Sequence, residues 1–494
     1  MPSFDVVLVT DTSKPPAWVR GYGAHRLASH LRSRGYTVLV VDFSSFLDFE
    51  TWKQICDHAI GDQTKLLGFS TTWWPYRLPS GEVRSTFPDK GNMGNNDTDE
   101  QTLTEAAVRG QLERWINYPK SINSKLKVIL GGPKANFYFD VPADHFIIGY
   151  GETQLEDLLS QPRRIFSKII DHDTEAKSSS WDFKFSSTSY NELDQIQPYE
   201  KLIIEFSRGC RFKCSFCNYP LIGRKDVSSY VKDVDTIYNE LMENYDRWGI
   251  RDYTVADDTL NDSTEKLEQI AKAVRKLPFQ PRFQAYTRLD VMVKNREHVN
   301  LLKEIGLTRT WIGLDSLHPV ASKAIGKGMN EQTKKEMLQT LKKEWGESVT
   351  IDVGYIVGLP QEPASFIEQV FSWANASDSP IYNIEFIALL LVPPNPFLKY
   401  TPRSDMDINY EKYGYQIPNL EKFWNWTKND STGISSYQEA DLLARKLNSQ
   451  KTPRNFKANF EEDDKVYKNP NWYFSNLISN LKNNIIETNH ALVL

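Results

Sequence analysis

Three of the chain's four cysteines, Cys210, Cys214 and Cys217, stand in the run Ile203-Ile204-Glu205-Phe206-Ser207-Arg208-Gly209-Cys210-Arg211-Phe212-Lys213-Cys214-Ser215-Phe216-Cys217, while Cys56 is remote in sequence. A closed iron–sulfur site takes four thiolates, so three suit a four-iron cluster whose fourth iron stays open to a ligand. An open iron can bind and reduce something, which points to an enzyme more than to an electron carrier. The competing chemistry is a zinc knot, but zinc in a structural site takes four protein ligands and no histidine lies near Cys217 to complete the set. A disulfide framework is disfavoured by the small number of cysteines. The start, Met1-Pro2-Ser3-Phe4-Asp5, has no basic region ahead of an apolar stretch, so the expected location is a reducing cytoplasm.

Elements must position those cysteines. At 494 residues, and about 150 residues per domain, two to four units are expected. Hydrophobic residues at 40% and charged residues at 25% are ordinary globular values, and a net charge of −5 gives no global reason to expect nucleic acid or membrane as partner. The longest strongly apolar stretch, Ile387 to Val392, is far short of the ~20 residues a membrane helix needs. Over residues 1–160, β-branched runs (Asp5 to Val9, Thr37 to Val41, Lys65 to Phe69, Lys127 to Leu130, His145 to Ile148) alternate with helical stretches, which predicts an α/β, doubly wound, Rossmann-like domain. Ligands of such sheets collect at the strands' carboxyl ends, here Thr10 to Gly23, Ser70 to Tyr76 and Gly131-Gly132-Pro133. Residues 161–195, with Lys177-Ser178-Ser179-Ser180 and Ser186-Ser187-Thr188-Ser189, read as a linker. Six strand–helix units follow over 196–400, their strands at Leu202 to Phe206, Asp252 to Ala256, Arg282 to Tyr286, Arg309 to Leu314, Thr350 to Val357 and Asn383 to Leu391. The tail, 401–494, is polar but rich in aromatics such as Tyr415, Phe423, Trp424 and Trp426, and is expected to form a mostly helical cap over the open side of the second domain.

The cysteine spacing of three and then two intervening residues, with Phe216 before the last cysteine and a strand leading into the first, resembles the signature of the radical S-adenosylmethionine enzymes. The six strand–helix units are similar to that family's partial (β/α)6 barrel, whose active site lies at the strands' carboxyl ends. The resemblance implies a [4Fe–4S] cluster on Cys210, Cys214 and Cys217 that chelates S-adenosylmethionine and cleaves it to a 5′-deoxyadenosyl radical. It further implies that Phe216 belongs to the cofactor loop, that Asp257 or Asp258 accepts from the methionine amino group, and that Arg288 pairs with the methionine carboxylate unless Asp290 takes it as a rim salt bridge. Asp315 and Ser316 would contact the ribose. Gly354 and Gly358, with Ile356 or Val357, would lie against the adenine, whose edge would be read by backbone from Val392 onward. Arg208, Arg211, Lys213, Arg224 and Lys225 crowd the loop, where they would moderate the cluster's charge, attract an electron donor such as flavodoxin or ferredoxin, meet an anionic substrate, or simply face solvent.

The first domain resembles the cobalamin-binding domain found ahead of the barrel in one subgroup of that family, through Gly68-Phe69-Ser70, Ile129-Leu130-Gly131-Gly132-Pro133 and Ile148-Gly149-Tyr150-Gly151-Glu152. Ser70, Thr71, Trp73, Gly131, Gly132, Gly149 and Gly151 are the candidate corrin contacts, glycine allowing close backbone approach; Trp74, Tyr76 and Arg77 would stack on a corrin, line a channel or bury a loop. The Asp-x-His-x-x-Gly motif of histidine-ligating cobalamin domains is absent, so cobalamin either binds without a histidine or does not bind. Three functions follow: a cobalamin-dependent methyltransferase acting on an unactivated carbon, a cobalamin-free radical cyclase, dehydrogenase or rearrangement enzyme, and a non-catalytic redox sensor. The substrate, small molecule or peptide, is not identified by any motif; nothing suggests a nucleic-acid groove, and no residue stands out as catalytic acid, base or radical acceptor.

Overall fold

The computed structural model describes residues 4–11, 19–72, 76–77, 83–84, 105–171, 181–198, 200–219, 221, 223, 226, 229–392, 403–419, 425–451 and 470–483. Its first sheet contains β1 (Val6–Val9), β2 (Val38–Val41), β3 (Leu66–Ser70), β6 (Lys127–Gly131), β7 (His145–Ile148) and β8 (Ile169–Asp171); β4 (Tyr76–Arg77) and β5 (Val83–Arg84) form a separate short antiparallel pair. The order β2-β1-β3-β6-β7-β8 is parallel throughout. Strands buried on both faces explain the unbroken apolar runs: Val7, Val9, Leu39 and Val41 feed one core, and Val6, Leu8, Val38 and Val40 the other. The chain leaves β1 for β2 on one side and returns to β3 on the other, so the ligand-binding crevice of this topology opens beyond β1 and β3, at Thr10 and Ser70–Thr71.

The second sheet comprises β9 (Lys201–Ile204), β10 (Asp252–Val255), β11 (Arg282–Thr287), β12 (Leu307–Asp315), β13 (Thr350–Val357) and β14 (Asn383–Ala388), parallel and in sequential order. Sequential order with a helical crossover between neighbours wraps the sheet one way, as a partial barrel requires. Outward-facing residues such as Leu202, Tyr253, Phe283, Ile312, Val353 and Phe386 pack under the helices in one core. The alternate residues Tyr286, Trp311, Gly354, Ile356, Glu385 and Ile387 are half-buried or exposed and line the inner face.

Three expectations about domain limits need correction. Ile169–Asp171, inside the expected linker, is the sixth strand of the first sheet; three residues between polar runs carry no period to reveal it. Lys177 to Ser180 lies outside the described residues, and Ser186 to Ser189 is a half-buried strap around the buried Thr188, whose hydroxyl donates to the Tyr22 hydroxyl (3.0 Å) and whose amide donates to Glu240 (3.1 Å), while the Ser189 amide donates to Ser29 (3.0 Å). Its polar side chains meet other polar side chains at the joint between the domains, so they show no apolar period. The tail also divides. The helix Tyr437–Ser449 lies on β14, where Asn448 receives from the Phe386 amide (3.1 Å) and donates to its carbonyl (2.8 Å), closing the sheet edge. The helix Pro470–Lys482 instead returns to the first domain, burying Tyr473, Phe474, Leu477 and Leu481 with Trp52 and Ile55.

Candidate active site

The cysteine loop leaves β9 through Gly209 at φ +101°, a left-handed turn that favours glycine. Asp257, just past β10, accepts from the amides of Phe206 (2.8 Å) and Ser207 (3.0 Å) and from the Ser207 hydroxyl (2.7 Å), and its charge is balanced by Lys266 at 2.7 Å. That fully buried network fixes the entry to the loop. Cys210 is buried and Cys214 and Cys217 are half-buried. Burial pushes the Cys210 thiol up and that of Cys217 to about 11, so thiolate at neutral pH requires a cation beside it. Among the described residues, no group of three or more His, Cys, Asp or Glu side chains is arranged to hold a single metal ion. Three thiols in one loop, with Cys56 remote, are the donor set that a three-cysteine cluster with one open iron would use.

Two of the three cysteine sulfurs have side-chain polar partners, and the Cys217 sulfur has the Tyr219 amide. The Cys210 thiol donates to the Thr259 hydroxyl at 3.5 Å, and Cys214 receives a guanidinium N–H from Arg288 at 2.9 Å. Arg288 is paired through Nε and Nη2 with Asp290 (3.0 and 2.8 Å) and stacks on Phe212 at 3.8 Å from the ring centroid. The rim salt bridge is thus formed, and the remaining nitrogen faces sulfur. Phe216 packs against the barrel core.

The structure separates the candidate S-adenosylmethionine contacts. Asp257 is consumed by the loop, which removes it as a ligand for the amino group. Asp258 is half-buried, its carboxylate makes no hydrogen bond among the described residues, and burial followed by the neighbouring Asp257 charge pushes it up to about 6. Asp315, at φ +58°, pairs with Lys327. Ser316 is corrected: it is fully buried, donates to Glu362 at 2.6 Å and accepts from the His318 amide at 3.0 Å, so no ribose reaches it. On β13, a Cβ at Gly354 would meet nothing within 4 Å, and Ile356 shares that inner face. Val357 points outward and is fully buried, and a Cβ at Gly358 would stand 2.7 Å from Trp426, so these two serve packing instead of the purine. Val392 is corrected as well, because its amide donates to Asp407 (2.6 Å) and its carbonyl accepts from Arg403 (2.5 Å).

In the first domain, Thr71 accepts from the Lys134 amide (3.2 Å) and donates to the Gly131 carbonyl (2.9 Å), and Ser70 contacts the Thr72 hydroxyl at 3.1 Å. Gly132, at φ +100°, lets the turn approach Thr71 more closely than a side chain would allow. The Thr10 hydroxyl at the crevice is buried with no partner among the described residues, a vacancy in hydrogen bonding that a polar ligand group would fill. Gly149 and Gly151 flank Tyr150 and open the helix Glu152–Ser160. Trp73, Trp74, Arg224 and Lys225 lie outside the described residues, as do the side chains of Tyr76 and Arg77.

Sequence reasoning missed the joint between the two domains. Arg208, two residues before Cys210, is buried and donates to Glu152 (2.6 Å) and Glu205 (2.8 Å), with its guanidinium over Tyr150, Phe183 and Trp181. It is a structural tie and not a surface charge. Also missed were the inner-face residues Tyr286 and Trp311, whose rings lie 5.7 Å apart, and Arg309, paired with Asp352 at 2.5 Å. Period-two reading of β11 to β13 would have found them.

Residues 204–374 match the family model for the Radical SAM superfamily. An uncharacterized methyltransferase of Pyrococcus horikoshii is 22% identical over 56% of this chain and 62% of its own length. The anaerobic magnesium-protoporphyrin IX monomethyl ester cyclase of Rubrivivax gelatinosus is 20% identical over 62% of this chain and 59% of its own. The chain thus spans about three-fifths of the length of these curated relatives. Its fold is similar to that of the radical S-adenosylmethionine methyltransferase TsrM of Kitasatospora setae, solved with cobalamin and a [4Fe–4S] cluster bound, with a TM-score of 0.59 at 16% identity over 89% of this chain and 85% of that one. It is also similar to the cobalamin-dependent radical enzyme OxsB, with a TM-score of 0.55 at 15% identity over 83% of this chain and 56% of that one. Residues 204–374, which hold the cysteine loop and most of the partial barrel, thus carry a radical S-adenosylmethionine domain, for which a [4Fe–4S] cluster and S-adenosylmethionine are the implied cofactors.

Proposed function

We propose that this chain methylates an unactivated carbon of a small-molecule or peptide substrate, using a cluster on Cys210, Cys214 and Cys217 and a cobalamin at the carboxyl edge of the first sheet. The cluster would supply the electron that cleaves S-adenosylmethionine to the 5′-deoxyadenosyl radical, and the corrin would supply the methyl group. The observation that carries the reading is the joint: the Gly149–Glu152 turn at the edge of the first sheet is tied by Arg208 to the loop that holds the cysteines. A crevice ligand near that edge and a cluster ligand would then share one solvent-excluded space. The fold likeness to TsrM, solved with both groups bound, supports it.

Within the site, Asp258 would hold the methionine amino group, Gly354 and Ile356 would present an apolar wall to the adenine, and the inner-face rings of Tyr286 and Trp311 would bound the substrate. The electron would come from a flavodoxin- or ferredoxin-like donor. A cobalamin-free radical reaction is the second reading, favoured by the engagement of nearby histidines: His25 pairs with Asp42 (3.0 Å) and His30 with Glu156 (2.9 Å).

The test is absorption spectroscopy of protein expressed with hydroxocobalamin, reconstituted anaerobically and desalted. A corrin band near one equivalent beside the cluster absorption, with 5′-deoxyadenosine formed on reduction, is the expected result. Cluster and 5′-deoxyadenosine without corrin would overturn methyl transfer and leave the second reading.

A further inference from the structure

Arg288 is held from every side. Its amide donates to Asn261 Oδ1 at 2.8 Å and its carbonyl accepts from Asn261 Nδ2 at 3.0 Å, with Asn261 fully buried. Asp290 grips Nε and Nη2, and the Phe212 ring lies under the guanidinium plane. The planar fork then has one direction left for Nη1, which is the Cys214 sulfur at 2.9 Å. Among the described residues it is the only charged side chain hydrogen-bonded to a cysteine of the loop.

We infer that Arg288 is a positioning residue for the cluster, whose N–H to the Cys214 sulfur raises the cluster's reduction potential and makes the iron bound by Cys214 electronically distinct. This rests on the reading of the three cysteines as cluster ligands. A donor to a thiolate sulfur withdraws charge from the iron it binds, and a cation beside the cluster favours the reduced form, which carries one more negative charge. Asp290 offsets much of the net charge, so the directional hydrogen bond carries most of the effect. Among the described residues the other two sulfurs have neutral partners only, the Phe212 amide and the Thr259 hydroxyl at Cys210 and the Tyr219 amide at Cys217, so the charge-assisted donor is particular to Cys214.

The experiment is an anaerobic redox titration of the reconstituted full-length protein, read by electron paramagnetic resonance, after iron and sulfide analysis. Loss of iron on substituting the three cysteines tests the ligand reading separately. In Arg288→Met with full iron content, the reduced-to-oxidised ratio at a fixed potential should fall at least tenfold, which is 59 mV for a one-electron couple. An unchanged potential at full iron content would overturn the inference. If the Met variant does not retain four irons, wild-type protein labelled with 15N-arginine decides: a weak 15N coupling to the reduced cluster that vanishes in Arg288→Lys is expected, and its absence from the wild type overturns the inference.

Discussion

Arg208 of the cysteine loop and Glu152 of the first domain meet at 2.6 Å inside the protein, both side chains less than 9% exposed. Glu205 shares the guanidinium, and Tyr150 lies against it at 4.2 Å from ring centroid to Cζ. One ion pair therefore registers the two sheets at the level of the cysteines.

Removing one partner of such a buried pair strands the other, which costs about 3–5 kcal/mol. Arg208→Met is expected to lower the midpoint of thermal unfolding by several degrees, read by circular dichroism. An unchanged midpoint would show that the joint does not depend on this pair. The pH dependence has a definite sign. Burial pushes Glu152 up, but the charge and hydrogen bond of Arg208 outweigh it and hold the carboxyl at about 2, below its ordinary 4.5. A depressed carboxyl stabilises the fold above its unfolded pKa, so this contribution is full above about pH 4.5 and fades as pH falls toward 2. Denaturant midpoints across that window should fall less steeply in Arg208→Met than in wild type.

The adjacent carboxylates Asp257 and Asp258 are expected to respond differently. Asp257→Asn leaves Lys266 without its 2.7 Å partner and should destabilise the fold by about 3 kcal/mol or more. Asp258→Asn should keep the unfolding midpoint and weaken S-adenosylmethionine binding, measured by calorimetry. Because burial pushes Asp258 up to about 6, wild-type affinity for the cationic amino group should fall as pH drops through 6. That slope should be absent in Asp258→Asn.

Two glycines of one strand and its following turn make a second contrast. Gly358→Ala puts a Cβ 2.7 Å from the Trp426 ring at φ +95°, so overpacking and backbone strain together should cost about 2–4 kcal/mol. Gly354→Ala meets no atom within 4 Å and should leave stability near wild type while reducing S-adenosylmethionine affinity. Equal unfolding midpoints for the two variants would contradict the packing described.

The returning helix gives a fourth expectation. Tyr473 is fully buried, accepts from the Asp42 amide at 3.1 Å and meets Phe43 edge-on at 5.0 Å between centroids. Tyr473→Ala should destabilise the first domain by about 3–5 kcal/mol. Hydrogen exchange should show the loss in β1 and β2 and spare β12 and β13; a loss spread evenly over both sheets would count against the assignment of this helix to the first domain.

Much of this was legible in sequence because it is local. The cysteine loop is contiguous, the central strands of the first sheet are short apolar or β-branched runs buried on both sides, and several strands of the second alternate buried with half-buried or exposed residues. What escaped depends on partners far along the chain. Asp257 and Asp258 are neighbours, and only the approach of Phe206 and Ser207 decides which one is consumed. Gly358 reads as a purine contact until Trp426, 68 residues later, is found against it. Ser316 looks like a polar group at a strand's end, but Glu362 and the His318 amide bury it. Arg208 looks like one of several loop cations until Glu152 arrives from the other domain.

The placement of the helix Pro470–Lys482 on the first domain has a consequence for biosynthesis. The first sheet is finished at Asp171, but the side chains that complete one of its two cores leave the ribosome about 300 residues later. At roughly 5–20 residues per second, that core waits on the order of 15–60 seconds with Trp52 and Ile55 lacking their final cover while the barrel is made. The first domain is therefore the earlier of the two to begin and the later to finish. A nascent chain halted after the barrel should expose the Trp52 surface to chaperones, and that risk ends only when the helix Pro470–Lys482 folds back over Trp52 and Ile55.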